Sequence, residues 1–238
     1  MVAPGGRGAD RMVRTTVASP AVPPARQTDI NSTSTSRTTA SLWRREIIEA
    51  MSADPAPAVV GVLLAAGAGR RYGKPKVLVE GWLVTAVTAL SDGGCGTVVV
   101  VVGAADVPVP PGVVKVNEPD WHAGLSASVR AGLLQADRMH ADYAVLHVVD
   151  TPDVGAAVVA RVLERALASR SGLARAWFGG RPGHPVVIAR EHWPGVLSRL
   201  SGDQGAAAYL RTASDVESVD CSDLASGRDW DQPQPEPG

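Results

Sequence analysis

Three apolar runs, VVGVLLA (59–65), TVVVVVG (97–103) and YAVLHVVD (143–150), constrain the fold more than any other feature of the chain. Each is short, rich in β-branched side chains and free of polar alternation. That pattern predicts strands buried on both faces, which requires a sheet with helices packed on each side. The intervening segments supply the helices. WLVTAVTALSDGG predicts one that ends at Gly93–Gly94, and GLSASVRAGLLQADRM (124–139) predicts another with Leu125, Val129, Leu133 and Ala136 on one face. GAAVVARVLERALASR predicts a third. VVKVN (113–117), LARAWF, HPVVIA and VESVD add shorter strands, with the glycine turn GGRPG between the second and third of these, and EHWPGVLSRLS and GAAAYLRT add late helices. Such β–α alternation gives an α/β fold of three layers, Rossmann-like, with a mostly parallel central sheet. Ligands of such sheets bind beyond the carboxyl ends of the strands.

The 238 residues divide by composition. Residues 1–55 are rich in Pro, Ser, Thr and Arg, which predicts a disordered extension, with SLWRREIIEAM as an isolated helical candidate and Met51 as a candidate translation start. Residues 56–225 are expected to form the domain, and residues 226–238, with DWDQPQPEPG, a flexible tail. The chain contains one Phe and three Tyr, so the core must be built from Val, Leu and Ala. A net charge of −1 gives no electrostatic reason to expect nucleic acid or an anionic membrane surface as partner. The N-terminal segment lacks the apolar core of a secretory signal, and no apolar run approaches the ~20 residues that cross a bilayer. Cys95 and Cys221 form neither a metal-ligand pattern nor a disulfide framework, which fits a cytoplasmic protein.

The first strand runs into AAGAGRRYGKPK, a glycine turn followed by four cations. A P-loop needs two glycines five positions apart followed by Lys and Ser/Thr, whereas Gly69 and Gly73 are four apart, Gly67 and Gly73 six apart, and Pro75 takes the hydroxyl position. A dinucleotide fingerprint begins well at Gly67-Ala68-Gly69, but its third glycine comes one residue late and the second strand ends without an acid.

Leu64-Ala65-Ala66-Gly67-Ala68-Gly69-Arg70-Arg71-Tyr72-Gly73-Lys74-Pro75-Lys76 resembles the LAAGxGxRxGxPK signature of the MobA-like nucleotidyltransferases, with Tyr72 in place of the usual Met. Four further segments resemble elements of that family in the same order. They are Asn117-Glu118-Pro119-Asp120-Trp121 with Gly124–Leu133, Val149-Asp150-Thr151-Pro152-Asp153-Val154, Gly183-His184-Pro185-Val186, and Gly202-Asp203-Gln204-Gly205-Ala206. The resemblance implies a fold of the nucleotide-diphospho-sugar transferase type and transfer of a nucleotidyl group with release of pyrophosphate. Ala66 is similar to the second alanine of the molybdenum cofactor cytidylyltransferases, where guanylyl enzymes carry glycine. That implies CTP as donor, molybdopterin as acceptor, Mg²⁺ as cofactor and an apo-molybdoenzyme of the hydroxylase class as recipient. Guanylyl transfer, transfer to another phosphorylated small molecule, and a cofactor carrier or insertion chaperone remain alternatives.

The chemistry assigns each residue a candidate role. Leu64, Ala65, Ala66, Gly67 and Gly69 let backbone N–H groups approach the nucleotide. Arg71 offers a planar fork to phosphate, and Lys76 a mobile point charge; Arg70 and Lys74 are weaker candidates. Asp150 ends a buried strand and is a candidate catalytic residue and Mg²⁺ ligand, with Asp153 expected to cap the next helix. Asp203 is a second candidate metal ligand or a cap of GAAAYLRT. Asn117, Gly124 and Ser126 are candidate nucleotide contacts, Ser128 lies on the same helix start, and His184 is a candidate contact for the pterin phosphate. His147 is expected to be a satisfied core residue.

Overall fold

The structure, a computed structural model, describes residues 55–230. The expectations for residues 1–54 and 231–238, including the helix in SLWRREIIEAM, lie outside the described residues.

The three apolar runs form β1 (Val59–Leu64), β2 (Thr97–Val102) and β4 (Tyr143–Val148), and β3 (Val114–Asn117) lies outside β2. β5 (Leu173–Phe178), β6 (Arg181–Ala189) and β7 (Glu217–Asp220) complete a seven-stranded sheet in the order β3-β2-β1-β4-β6-β5-β7. β1 pairs in parallel with both β2 and β4, and only β6 runs against its neighbours. β6 starts at Arg181, inside the stretch read as a turn, so the β5–β6 hairpin turns on residues 179–180 alone.

Helices cover both faces, as continuously apolar strands require. α1 (Trp82–Asp92) and α3 (Ala156–Ala168) pack Val87, Leu90, Val158 and Val162 on Leu63, Val100, Val145 and Val187. The opposite face takes α2 (Leu125–Arg138), α4 (Trp193–Arg199) and α5 (Ala207–Leu210), which pack Val129, Leu133, Val196 and Leu210 with Val62, Val101, Leu146 and Ile188. Alternate residues of each central strand feed the two cores, so a one-residue slip would exchange them. Val129, Leu133 and Ala136 of the predicted α2 face are buried, and the buried strands β1 and β4 end side by side.

Residues 226–230, assigned from sequence to the tail, lie against this domain. Ser226 and Gly227 donate to Asp153, and the Trp230 N–H donates to the Asp150 carbonyl at 3.0 Å. Among the described residues, no helix is long and apolar enough to cross a membrane. Cys95 and Cys221 are buried free thiols.

Candidate active site

The site begins where β1 leaves the sheet. Sheet pairing continues past Leu64, with the Ala65 N–H donating to Val101 O at 2.9 Å and the Ala104 N–H to Ala66 O at 3.0 Å. Gly67 is the first residue clear of it. At Gly69, φ is +60°, and a Cβ would stand 1.9 Å from the Lys74 carbonyl oxygen. Only glycine lets the loop close this tightly. A bond from the Gly73 N–H to Gly69 O, 2.8 Å, holds the closure. The closed loop turns Arg70, Arg71 and Tyr72 along one cavity and returns the chain to Lys76 at the head of a short 3₁₀ turn (Lys76–Leu78).

Lys76 Nζ lies 2.7 Å from Asp150 Oδ2, with the two side chains only 13% and 21% exposed. Asp150 follows β4 by two residues, so this ion pair joins the glycine turn of β1 to the end of the neighbouring strand. A pair this sheltered is screened less by salt than a surface pair.

Asp153 is not the cap expected of it. Gly155 precedes α3, with no side-chain cap, while Asp153 Oδ2 accepts from the Ser226 N–H at 2.7 Å, the Ser226 hydroxyl at 2.6 Å and the Gly227 N–H at 3.2 Å. That carboxylate anchors the C-terminal strap. Beyond it, Asp229 lines the cavity, and Trp230 meets Trp82 edge-on with ring centroids 6.2 Å apart. Tyr72, in the glycine turn, lies tilted on the same Trp82 at 5.6 Å.

Asp203 sits in a 3₁₀ turn (Gly202–Gln204) packed on the start of α2, where a Cβ on Gly124 would meet Asp203 Oδ1 at 2.5 Å. It does not cap α5, whose first turn follows Ala206 without a side-chain cap. His184 opens toward the cavity, with Nδ1 3.4 Å from Leu146 O. Burial, then the nearby Arg175 guanidinium, pushes its pKa down to about 4, so the ring is neutral at pH 7.

The cavity measures about 600 Å³, within the range of small-molecule sites. Leu64, Ala65, Ala66, Gly67, Gly69, Arg71, Lys76, Gly124, Asp150, His184 and Asp203 all line it. Asn117 and Ser126 do not. Asn117 ends β3, paired to Val102 and exposed, while Ser126 is buried beneath the helix start. Ser128 lines the cavity instead, because it lies four residues from Gly124 and three from Leu125, on their helix face. The sequence did not single out Trp121, His122 or Asp229 as lining residues. Trp121 stands there only as part of a motif, and its 3₁₀ turn (Trp121–Ala123) is what aims it inward. His147 is a core residue but not a satisfied one, since neither ring nitrogen has a hydrogen-bond partner among the described residues. Burial, then His184, pushes its pKa down to about 3.

The glycine turn carries its cations into the cavity, and the Lys76–Asp150 pair joins it to the end of the neighbouring strand. The family model of the MobA-like NTP transferase domain matches residues 61–218. The chain belongs to that family. It is 35% identical over 195 residues, 74% of this chain and 93% of the relative, to the nicotine blue oxidoreductase of Paenarthrobacter nicotinovorans. It is also similar in structure to a homologue of Mycobacterium tuberculosis Rv0371c from Mycobacterium sp. strain JC1, with 26% identity and a TM-score of 0.62 over 74% of this chain and 91% of that one. The 2-C-methyl-D-erythritol 4-phosphate cytidylyltransferase of Thermus thermophilus, 24% identical with a TM-score of 0.50 over 72% and 94% of the two chains, shares the fold. Family and fold are those of a nucleotidyltransferase, and the sheet is the expected Rossmann-like, mostly parallel one with a single reversed strand.

Proposed function

We propose that this MobA-like protein transfers CMP from CTP to molybdopterin and releases pyrophosphate. The observation that carries the reading is the Lys76–Asp150 pair, held at 2.7 Å in a cavity that also takes Arg70, Arg71 and Asp203. In the reaction, a phosphate oxygen of the acceptor forms a bond to the α-phosphorus of CTP. The bond from that phosphorus to the bridging oxygen breaks, and pyrophosphate carries away the electron pair. Little covalent work falls to the protein, so catalysis is alignment and stabilisation of phosphate charge. Gly67 and Gly69 expose backbone N–H groups, Arg71 offers paired donors, and Lys76 supplies a charge that can move from Asp150 to the phosphates.

The donor set fits a hard divalent cation. Asp150 and Asp203 line the same cavity, and among the described residues no three His, Cys, Asp or Glu groups gather closely enough to hold a metal by themselves. That suits Mg²⁺, which takes one or two carboxylates and fills its shell with phosphate oxygens and water. Asp150 and Asp203 would hold it, with Asp229 within the same cavity. When bound, it supplies neutralisation of the triphosphate charge. The choice of CTP rests on Ala66, which lies on the cavity wall only 2% exposed. The dinucleotide product would pass to an apo-molybdoenzyme of the hydroxylase class.

The 35% identical relative carries the name of an oxidoreductase, and that favours one second reading: oxidation–reduction of a small molecule in this cavity. One experiment separates the two. The protein is incubated with Mg²⁺, molybdopterin and each NTP in turn, and pyrophosphate is measured beside a parallel NAD(P)H oxidation assay with a quinoid acceptor. Pyrophosphate with CTP above the other nucleotides is the expected result. Release with GTP alone would overturn the choice of base, and NAD(P)H oxidation with no pyrophosphate would overturn transfer.

A further inference from the structure

Trp121 lines the cavity and has no part in the chemistry above. Short bonds fix the turn that carries it. The Glu118 N–H donates to Val102 O at 2.8 Å, the Glu118 carboxylate accepts from the Asp120 N–H at 2.8 Å, and the Gly124 N–H donates to Trp121 O at 3.1 Å. The first of these continues the β3–β2 pairing past Asn117. The turn is therefore built by the chain itself, and a ligand meeting the indole has little left to order.

Gly103 sets where the indole goes. A Cβ there would stand 2.5 Å from Trp121 Cβ, 2.8 Å from Trp121 Cγ and 2.9 Å from Ala66 Cβ. No side chain fits at that point. The gap after β2 lets Trp121, which follows β3, reach across to Ala66, which follows β1. Trp121 packs half-buried on the cluster that holds Leu64 and Ala66. A tryptophan that only filled the core would be covered, whereas this one keeps part of its ring as cavity wall.

Strand order fixes what lies on either side. Across β3-β2-β1-β4-β6 the cavity takes Trp121 after β3, Ala66 and the glycine turn after β1, and Asp150 after β4. His184 follows in the β6 bulge, where the register with β5 shifts. The cations of the turn and the Asp150 carboxylate thus hold the middle of the row. A nucleotide with its phosphates there extends its base to one flank, and the acceptor lies toward the other. The β6 flank presents His184, a hydrogen-bonding ring. The β3 flank presents apolar wall, Ala66 and Leu125, beside the flat face of an indole.

We propose that Trp121 is the platform on which the base of the bound nucleotide stacks, beside Ala66. The proposal rests on the transferase reading for the class of its ligand. Every base has a π-face, so stacking on an aromatic ring adds affinity without choosing among bases. Trp121 supplies that affinity, and the choice stays with Ala66.

The test uses the full chain with Mg²⁺ and reads dissociation constants by titration calorimetry. The probes are each NTP in turn and inorganic tripolyphosphate, which carries phosphates and no base. Trp121→Leu keeps apolar bulk and removes the ring, and Trp121→Phe keeps a ring. The expected result is that Trp121→Leu weakens every NTP by about tenfold or more, the scale of base–aromatic stacking, and leaves tripolyphosphate and the order among the NTPs unchanged. Trp121→Phe should recover most of that loss. If Trp121→Leu does not fold, Gly103→Ala gives the same reading, because its methyl group displaces the indole from Ala66. A tryptophan with a structural role alone would weaken NTPs and tripolyphosphate together or neither of them, and either result would overturn the platform. So would a wild type that binds NTPs no better than tripolyphosphate. If the wild type loses NTP affinity with the ring but releases no pyrophosphate with molybdopterin, the transferase reading falls and the platform stands.

Discussion

At the scale of single residues, two side chains on β4 and just past its end behave in opposite ways. Asp150 is partnered and sheltered, and its loss should be felt first in catalysis. Asp150→Asn keeps the shape but removes the charge that holds Lys76 and would hold a metal. Turnover measured by pyrophosphate release should fall by about 10²-fold or more, the scale set by removal of one electrostatic stabiliser. Urea unfolding should show a loss of only about 1–2 kcal/mol, between the values for exposed and fully buried pairs. Near-normal turnover would remove Asp150 from the mechanism. His147, three residues earlier, is fully buried, and neither ring nitrogen has a partner among the described residues. Its folded pKa, about 3, lies below the ordinary value of 6.5, so the unfolded chain binds a proton that the folded protein refuses. Stability therefore falls as pH drops through that window, and His184, at about 4, adds a contribution of the same sign. His147→Leu, close in volume, should stabilise the protein by about 1–3 kcal/mol at neutral pH and flatten its acid limb. An acid limb unchanged from the wild type would mean that the ring is not the group responsible.

Elements differ in how far the sequence reveals them, and the reason is the range of the contacts that define them. β1, β2 and β4 were legible because burial on both faces writes itself into consecutive β-branched residues. α2 was legible through its periodic apolar face, yet its reach into the cavity was misread by one half-turn, from Ser128 to Ser126, because the local pattern does not say where the helix start points. The C-terminal strap was not legible at all. Its anchor is a carboxylate 73 residues away, and Ser226-Gly227 carries no apolar period to mark it. The same ignorance of distant partners made Asp153 look like a helix cap. Asp153→Ala should free the strap, because three donors lose one acceptor. Limited proteolysis should then cut within residues 226–230 faster than in the wild type, with stability lower by about 1.5–3 kcal/mol, the range for bonds to a charged group. Turnover should fall as well, since the Trp230 N–H holds the carbonyl of Asp150. An unchanged cleavage rate would show that Trp230 on Trp82 suffices to hold the strap.

Across the whole described domain, the cavity collects pieces from five stretches of chain: the glycine turn, the start of α2, the end of β4, the β6 bulge and the Asp203 turn, with the strap laid beside them. A ligand that touches all of these cross-links the strand ends to the glycine turn, the start of α2 and the Asp203 turn, and so it stabilises the folded state as a unit. Binding to the native state alone adds RT ln(1 + [L]/Kd), about 2.7 kcal/mol at a hundredfold excess over Kd, or roughly 5–10 °C in a domain of this size. With Mg²⁺ present, CTP should raise the melting temperature by that order, and GTP at the same concentration by less. Removal of the metal with a chelator should abolish most of the CTP shift, because three cations of the cavity must then meet the full triphosphate charge beside Asp150 and Asp203. Ala66→Gly, which takes one methyl group from the cavity wall, should narrow the gap between CTP and GTP. Equal shifts from the two nucleotides in the unaltered protein would take the choice of base away from Ala66, and a CTP shift that survives the chelator would mean that the cations of the glycine turn hold the triphosphate without a metal.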